Sequence, residues 1–365
     1  MWRCEYDSRA QAALEQLGCT LFTFLAPPIV ALSCDNVCED IPLRFFCVAS
    51  LLFAAGLMAC EPTPVSGNDV ASSQDTPAPV DTAIEDVELP PEATIKIATF
   101  NVSRYFDMAC DTGECWEGAY EDYPTPSEFN AKSAQLVNAI KDLNADVIVL
   151  QEVENEECLN VLKKELGPAF TSMVMGETGA PGSLDVATLS RADVLEIRTH
   201  RNYSIPHPDG GWTKFSREFL EVHMDWKGWR VIVFNAHFKS KTNDDPGRRL
   251  AEAMKARQLI EATAKEYPYA LIILAGDIND VPNSPPLNEL EKGGLMHRIA
   301  KEIPSGGDWT YNYFGNLRAI DHIFLVNSGW GEFKSGTAMV HRDNGASGWG
   351  GSDHSAVSGS FMIAP

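Results

Sequence analysis

Basic residues are the scarce class in this chain. Its 365 residues carry 29 Lys and Arg against 51 Asp and Glu, a formal net charge of −22. So acidic a chain does not attract a polyanion by bulk charge, which argues against broad nucleic-acid binding and leaves such recognition to a local field. The shortage is sharpest at the start: residues 1–93 hold 14 acids and 3 bases, which leaves 37 acids and 26 bases, a net of −11, on the remainder. Carboxylates gathered around a divalent cation would account for part of that excess. Cysteine is also sparse beyond the first 60 residues, where six of the nine lie, so that Cys110, Cys115 and Cys158 are left for the globular part. No further Cys or His neighbours complete a four-ligand zinc site. Cys110 and Cys115 bracket DTGE and either close a local disulfide in an exported protein or remain two free thiols. Internal repeats are absent. What is present is a hydrophobic fraction of 44%, enough for a substantial core, in a length that suits one large domain with an appendage.

The appendage is N-terminal. Phe45–Ala59 is apolar throughout, preceded by Arg44 and followed by Cys60. Fifteen residues span only about 22 Å as a helix, short for a bilayer and right for a signal-peptide core. Leu57-Met58-Ala59-Cys60 resembles the lipobox of bacterial lipoproteins, whose cysteine is acylated and becomes the new N-terminus. The expectation is a signal peptide over residues 44–59, lipidation at Cys60 and anchorage to a membrane (outer membrane or cell surface) facing periplasm or exterior. An ordinary signal peptide or a buried helix is the alternative. Residues 1–43, with an apolar patch at Leu21–Leu32 broken by Pro27-Pro28, read as an over-extended start. Residues 60–93, rich in Pro, Ser, Thr, Asp and Glu, read as a disordered acidic tether.

Over residues 94–365 apolar strands alternate with amphipathic helices, and polar residues recur at strand ends. Ile95–Asn101 ends in Asn101, and Asp146–Glu152 ends in Gln151-Glu152, a hard oxygen donor for a hard cation or a solvated start to the next helix. Between them Phe129–Leu143 has helical spacing. Leu184–Ser190, Val194–His200, Phe215–Met224 and Arg230–His237 read as successive, mostly antiparallel strands. The third carries Arg217; the fourth places Asn235 and His237 on one face. A lone strand histidine is more often structural, but at a strand mouth it can protonate or stabilise a phosphate oxygen. Helix Pro246–Lys265 carries Arg248, Arg249 and Arg257, most simply surface charges. Leu271–Asn279 (LIILAGDIN) is a buried strand with Asp277 and Asn279 two apart at its end, suited to activating a water and holding a phosphate. Asp321 begins the strand Ile320–Val326, and Asp353-His354 precede the last strand. A buried Asp321 could orient His354 and keep it protonated.

In this order the strings TFN (99–101), QE (151–152), GDIN (276–279), IDH (320–322) and SDH (352–354) resemble the endonuclease/exonuclease/phosphatase superfamily. FSRE (216–219) and NAH (235–237) look like its deoxyribonuclease I branch. The resemblance covers roughly Thr94 to Ile363 and implies an α+β fold: a four-layer α/β/β/α sandwich, two mixed sheets face to face with helices outside. It implies Mg2+ (with Mn2+ or Ca2+ as alternatives) held by Glu152, with Asn101 and Asp353 close to the metal. Asp277 would orient or deprotonate the attacking water, and Asn279 would contact the scissile phosphate. His354, paired with Asp321, and His237 would surround that phosphate, with Arg217 and Asn235 on the substrate side.

Fold does not fix substrate. HFKSK, with RRLAEA downstream, looks like secreted or surface bacterial nucleases, and Lys239 and Lys241 would face backbone phosphates from one side of a strand. The Trp before GD and the Tyr-Arg after it that mark inositol phosphatases are missing, and no long aromatic hairpin of the sphingomyelinase kind is evident in the sequence. The expectation is a monomeric, lipid-anchored nuclease acting on DNA or RNA, with no obligate protein partner. A phosphatase or phosphodiesterase for small or lipid-linked esters is the alternative, and a non-catalytic surface-binding module a weaker one.

Overall fold

Runs of β-branched and aliphatic residues between polar turns dictate a sheet-rich chain, and the computed structural model bears this out over residues 19–23, 30–34, 89–343 and 348–364. The chain divides into two units, residues 1–84 and 85–365. In the first, Cys19–Thr23 pairs antiparallel with Val30–Cys34. The expected signal segment, Cys60 and the expected tether up to residue 88 lie outside the described residues. Among the described residues no helix is long and apolar enough to cross a membrane.

The second unit runs β1 (Ala93–Tyr105), α1 (Pro126–Leu143), β2 (Val147–Val153), α2 (Glu156–Leu166), β3 (Ser172–Gly176), β4 (Asp185–Ser190), β5 (Asp193–Thr199), β6 (Leu220–Trp226), β7 (Trp229–His237), α3 (Pro246–Glu266), β8 (Leu271–Asp277), α4 (Pro285–Glu291), β9 (Met296–Arg298), β10 (Asp321–Val326), β11 (Gly331–Phe333), β12 (Met339–His341) and β13 (Ala356–Ile363). One sheet has the order β11-β13-β1-β2-β4-β3, with β12 also on β13; the other has the order β9-β10-β8-β7-β6-β5. Both are mixed, since β1 pairs parallel with β2 and β7 parallel with β8.

Both faces of the central strands are covered, which is why they read as continuous apolar runs rather than alternating ones. Ile95, Ile97, Val147 and Val149 meet Val222, Val231, Val233 and Ile273 between the sheets. The outward residues Ala98, Phe100, Ile148 and Leu150 pack under Leu136, Ile140, Leu159 and Leu162 of α1 and α2. On the other side Ile232, Phe234, Ile272 and Leu274 pack under Ala253, Ala256 and Ile260 of α3 and Leu287 of α4. This is the α/β/β/α sandwich.

Boundaries differ from the sequence reading, β1 for one running past Asn101 to Tyr105, and three of the differences have identifiable reasons. α1 starts three residues before Phe129, because Thr125 and Glu128 form a capping box around Pro126. The boundary expected at residue 93 comes earlier: Ala93 is already in β1 and buried, and Pro91 O accepts from Trp229 Nε1 at 2.8 Å. The strand expected over Phe215–Met224 begins only at Leu220, so Arg217 sits in the preceding loop rather than on a strand.

Candidate active site

Register builds the site. Parallel pairing sets His237 beside Asp277, and antiparallel pairing sets Asp277 beside Asp321, giving one row across three strand ends. The row tolerates no side chain at position 276. Gly276 has φ +148°, and a Cβ there would lie 1.9 Å from the Ala236 carbonyl oxygen. Just past the strand, Asn279 takes φ 56°, a left-handed conformation that Asn accepts better than most residues. Its N–H donates to Asp277 Oδ1 at 2.8 Å and its Nδ2 to Phe238 O at 3.1 Å.

The facing sheet supplies the other half. Asn101 is fully buried, and its Nδ2 donates to Asp277 Oδ2 at 3.1 Å and to Glu152 Oε1 at 3.2 Å, tying the two rims together. Glu152 occupies a register shift at the end of β2 with φ 66°. A bulge with a left-handed glutamate turns the carboxylate out of the ladder, a strain of the kind kept at functional sites. The Arg104 N–H donates to its Oε2 at 2.9 Å. His354 Nδ1 bonds Asp321 Oδ2 at 2.9 Å, and its ring lies 4.9 Å from that of Tyr311. Asp353 is exposed beside it.

The two site histidines differ in protonation. Burial alone would lower the His354 pKa, but the adjoining Asp321 outweighs it and raises it to about 10, so the ring is a cation at neutral pH. His237, 3.7 Å from Asp277 and 4.0 Å from Glu152, is pushed well below its ordinary value by burial and by the Arg217 and His354 charges, so it is neutral. Burial and the neighbouring Asp321 carry Asp277 up to about 7, within reach of base work.

Not every expected contact is free to act on substrate. Arg217 is half-buried, close enough to His237 to depress its pKa. Asn235 is fully committed: its Nδ2 donates to Leu150 O and Ala187 O, and its Oδ1 accepts from Gln151 at 2.9 Å. It fastens one sheet to the other rather than facing a ligand. Lys239 is not on a strand; its Nζ donates to the Ser240 and Thr242 carbonyls, and Lys241 pairs with Asp280 at 3.1 Å. Arg249 is no surface charge. It is 2% exposed, with Asp280 at 3.0 Å and Asp244 at 2.7 Å, and so pins the loop after Asn279.

Four features of the site were not read from the sequence. Glu252 is buried on α3 and accepts from Ser216 N and Lys239 N, both at 2.7 Å, which positions the loops carrying Arg217 and following His237. Lys132 donates to Gly351 O at 2.6 Å within the field of Asp353 and Glu152, and burial brings it down to about 8. Arg104 braces the loop beside Glu152 through Asp122 at 2.8 Å. Beside His354, Tyr311–Tyr313 pairs with Asn316–Arg318, with Phe314 at the tip 92% exposed.

The donor set fits a hard divalent cation. Glu152 and Asp353 offer carboxylate oxygens at the rim, Asn101 holds Glu152 through Nδ2 while its Oδ1 accepts from Ser103 N at 3.0 Å, and Asp321 Oδ1 is buried with no partner. Asp277, Asp321 and His354 also place donor atoms within 4.8 Å of one another, but His354 Nδ1 already holds its proton toward Asp321. The other such cluster, Cys110, Cys115 and Glu121, is closed by the Cys110–Cys115 disulfide.

A model of the Endonuclease/Exonuclease/phosphatase family matches residues 98–354. No curated protein matches the chain. Similar solved structures include TDP2 from Caenorhabditis elegans, 15% identical over 74% of this chain and 75% of that one, with a TM-score of 0.53. An endonuclease/exonuclease/phosphatase family protein from Bacteroides thetaiotaomicron is 14% identical over 75% and 97%, with a TM-score of 0.51. ANGEL2, a 2',3'-cyclic phosphatase, is 14% identical over 76% and 99%, with a TM-score of 0.54. At these identities the likeness is one of fold.

Proposed function

The chain belongs to the Endonuclease/Exonuclease/phosphatase family, metal-dependent hydrolases of phosphoric ester bonds, and on that premise we propose that it is a Mg2+-dependent nuclease, exported and lipid-anchored at Cys60, that cleaves DNA or RNA by in-line attack of an activated water. The observation that carries the reading is the junction of a charged His354–Asp321 pair with Asp277 and Glu152 at one rim.

Phosphodiester hydrolysis needs a positioned water, neutralised non-bridging oxygens and a stabilised leaving oxygen. Asp277, fixed through both oxygens by Asn279 N–H and Asn101 Nδ2, takes the proton of the water. Asn279 lines the phosphate. His354 keeps Nδ1–H on Asp321 and presents Nε2–H to a phosphate oxygen. Neutral His237 adds a hydrogen bond rather than a second charge, and Arg217 supplies a cationic clamp. A cation held by Glu152, with Asn101 and Asp353 nearby, would supply Lewis-acid neutralisation of the phosphate.

Nucleic acid is favoured over a small ester by the aromatic hairpin beside His354. Tyr311, Tyr313 and Phe314 present ring faces on which bases stack, and the Arg318 guanidinium lies 5.3 Å from the Tyr313 ring centroid. The same exposed Phe314 and Leu317 favour, as a second reading, a lipid-linked phosphate ester, since an apolar tip can enter a lipid surface. Export is supported by the Cys110–Cys115 disulfide, which suits an oxidising compartment. The full chain is expected to degrade plasmid DNA in Mg2+ and to stop in EDTA. Intact DNA beside a hydrolysed small or lipid phosphate ester would overturn the nuclease reading. Radioactive palmitate is expected to label the protein unless Cys60 is replaced by Ser.

A further inference from the structure

Tyr311 opens the aromatic hairpin, and its backbone is fixed on both edges. Across the hairpin it pairs with Arg318, and on the other edge it forms an antiparallel bridge with His354. The residue before it, Thr310, is fully buried. Its hydroxyl accepts from Ile320 N and Asp321 N, both at 3.1 Å, and its carbonyl accepts from Ser355 N at 2.7 Å. Thr310 thus joins the strand that carries Asp321 to the segment that carries His354, and Tyr311 is locked beside both. The Tyr311 ring lies 4.9 Å from the His354 ring, tilted by 37°.

The hydroxyl has other neighbours than the ring. Burial raises the Tyr311 pKa above the ordinary phenol value, and the charges of Asp353, Glu152 and Asp277 raise it further. Glu152 ends a strand of one sheet and Asp277 a strand of the other, so a hydroxyl within the field of both stands at the mouth between the rims. The phenols of Tyr105 and Tyr267 are engaged, by Ser133 Oγ at 2.7 Å and by Arg198 Nη2 at 3.1 Å. Among the described residues the half-buried Tyr311 hydroxyl has no such partner. A phenylalanine would make the same ring contact with His354, and a partly desolvated hydroxyl without a partner costs stability. A phosphate at the rim supplies the missing acceptor. We propose that Tyr311 is a further catalytic residue, whose hydroxyl donates a hydrogen bond to a non-bridging oxygen of the phosphate held between His354 and Asp277. The phenol keeps its proton throughout. It neutralises developing charge without a second buried cation beside His354.

The inference rests on the proposed function only in placing a phosphate at this rim, and the test separates the two. Inorganic phosphate is titrated calorimetrically into the full chain in Mg2+. It carries more charge on its oxygens than a diester does, as the transition state does, and so reports the hydrogen bond without turnover. Tyr311→Phe keeps the ring and removes the oxygen. It is expected to bind phosphate about tenfold more weakly and to lower kcat on plasmid DNA at least about tenfold. KM should stay within about threefold, since the bond strengthens in the transition state, and Tm within about two degrees. Parental phosphate affinity in Tyr311→Phe, a kcat within about twofold of the parent, or a parent that takes up no phosphate would each overturn the assignment. Intact DNA, with phosphate bound by the parent and released by Tyr311→Phe, would instead remove the nuclease reading and keep Tyr311 in its role.

Discussion

Two histidine–carboxylate clusters in this molecule use the same residue types at similar distances and end in opposite states. At the rim, His354, Asp321, Asp277 and neutral His237 crowd two buried carboxylates against one cation; Asp321 Oδ1 is left without a partner, and Asp277 is driven up to about 7. Beneath α3, Glu221 alone is shared by His200 at 2.7 Å, His223 at 2.7 Å and the Thr263 hydroxyl at 3.0 Å, with Arg198 at 3.6 Å. Burial pushes Glu221 up, yet its histidine bonds outweigh that and bring it to about 2. The ratio of acceptors to donors, rather than composition, separates the reactive cluster from the inert one.

The comparison breaks first at His354. His354→Ala is expected to cut hydrolysis about 10³-fold while circular dichroism stays unchanged, since a positioned acid contributes about 10²–10⁴; activity within tenfold of the parent would place the chemistry elsewhere. Asp321→Asn should cost less, about 10²-fold, and should also move the alkaline limb. Because His354 is raised to about 10, its charge and its contribution to stability are complete below about 6.5 and are lost as pH climbs through about 10. Without Asp321 the loss should begin at least one pH unit lower in a pH–rate profile.

Arg217→Ala should raise KM roughly tenfold with a smaller change in kcat, the signature of a substrate clamp. A pure kcat effect would make it a structural brace. Glu221→Gln should leave kcat and KM alone and lower stability by about 2 kcal/mol in urea, as expected for a buried charge-assisted bond. Its pH signature has the opposite sign to that of His354. The depressed Glu221 pKa stabilises the fold above about 4.5, and that contribution fades as pH falls toward 2. The parent should therefore lose more stability than Glu221→Gln between those values.

The polar strand ends were legible because strand periodicity carries Asp277, Asn279, Glu152 and His354 to one rim in an order that short strings reveal. Arg249 and Glu252 were not, since a charged residue three or four positions from its neighbours on an amphipathic helix looks solvated until its partners, Asp280 and two loop N–H groups, are located. The aromatic and aliphatic residues of FSREFLEV suggest one strand running through Arg217, but Glu252 captures Ser216 N and the ladder begins at Leu220. Asn235 misleads for the converse reason: its spacing to His237 is real, but bonds to the facing sheet consume its amide.

The row His237–Asp277–Asp321 has one further consequence. A slip of β10 by a single position would bring Ile320 or His322 opposite Asp277 and turn the His354 partner to the other face. Catalytic competence is therefore a digital reporter of strand alignment. Destabilised variants should show fewer active molecules, each turning over at the parental rate, rather than a whole population of sluggish ones. Counting active sites against total protein would read the fidelity of folding directly.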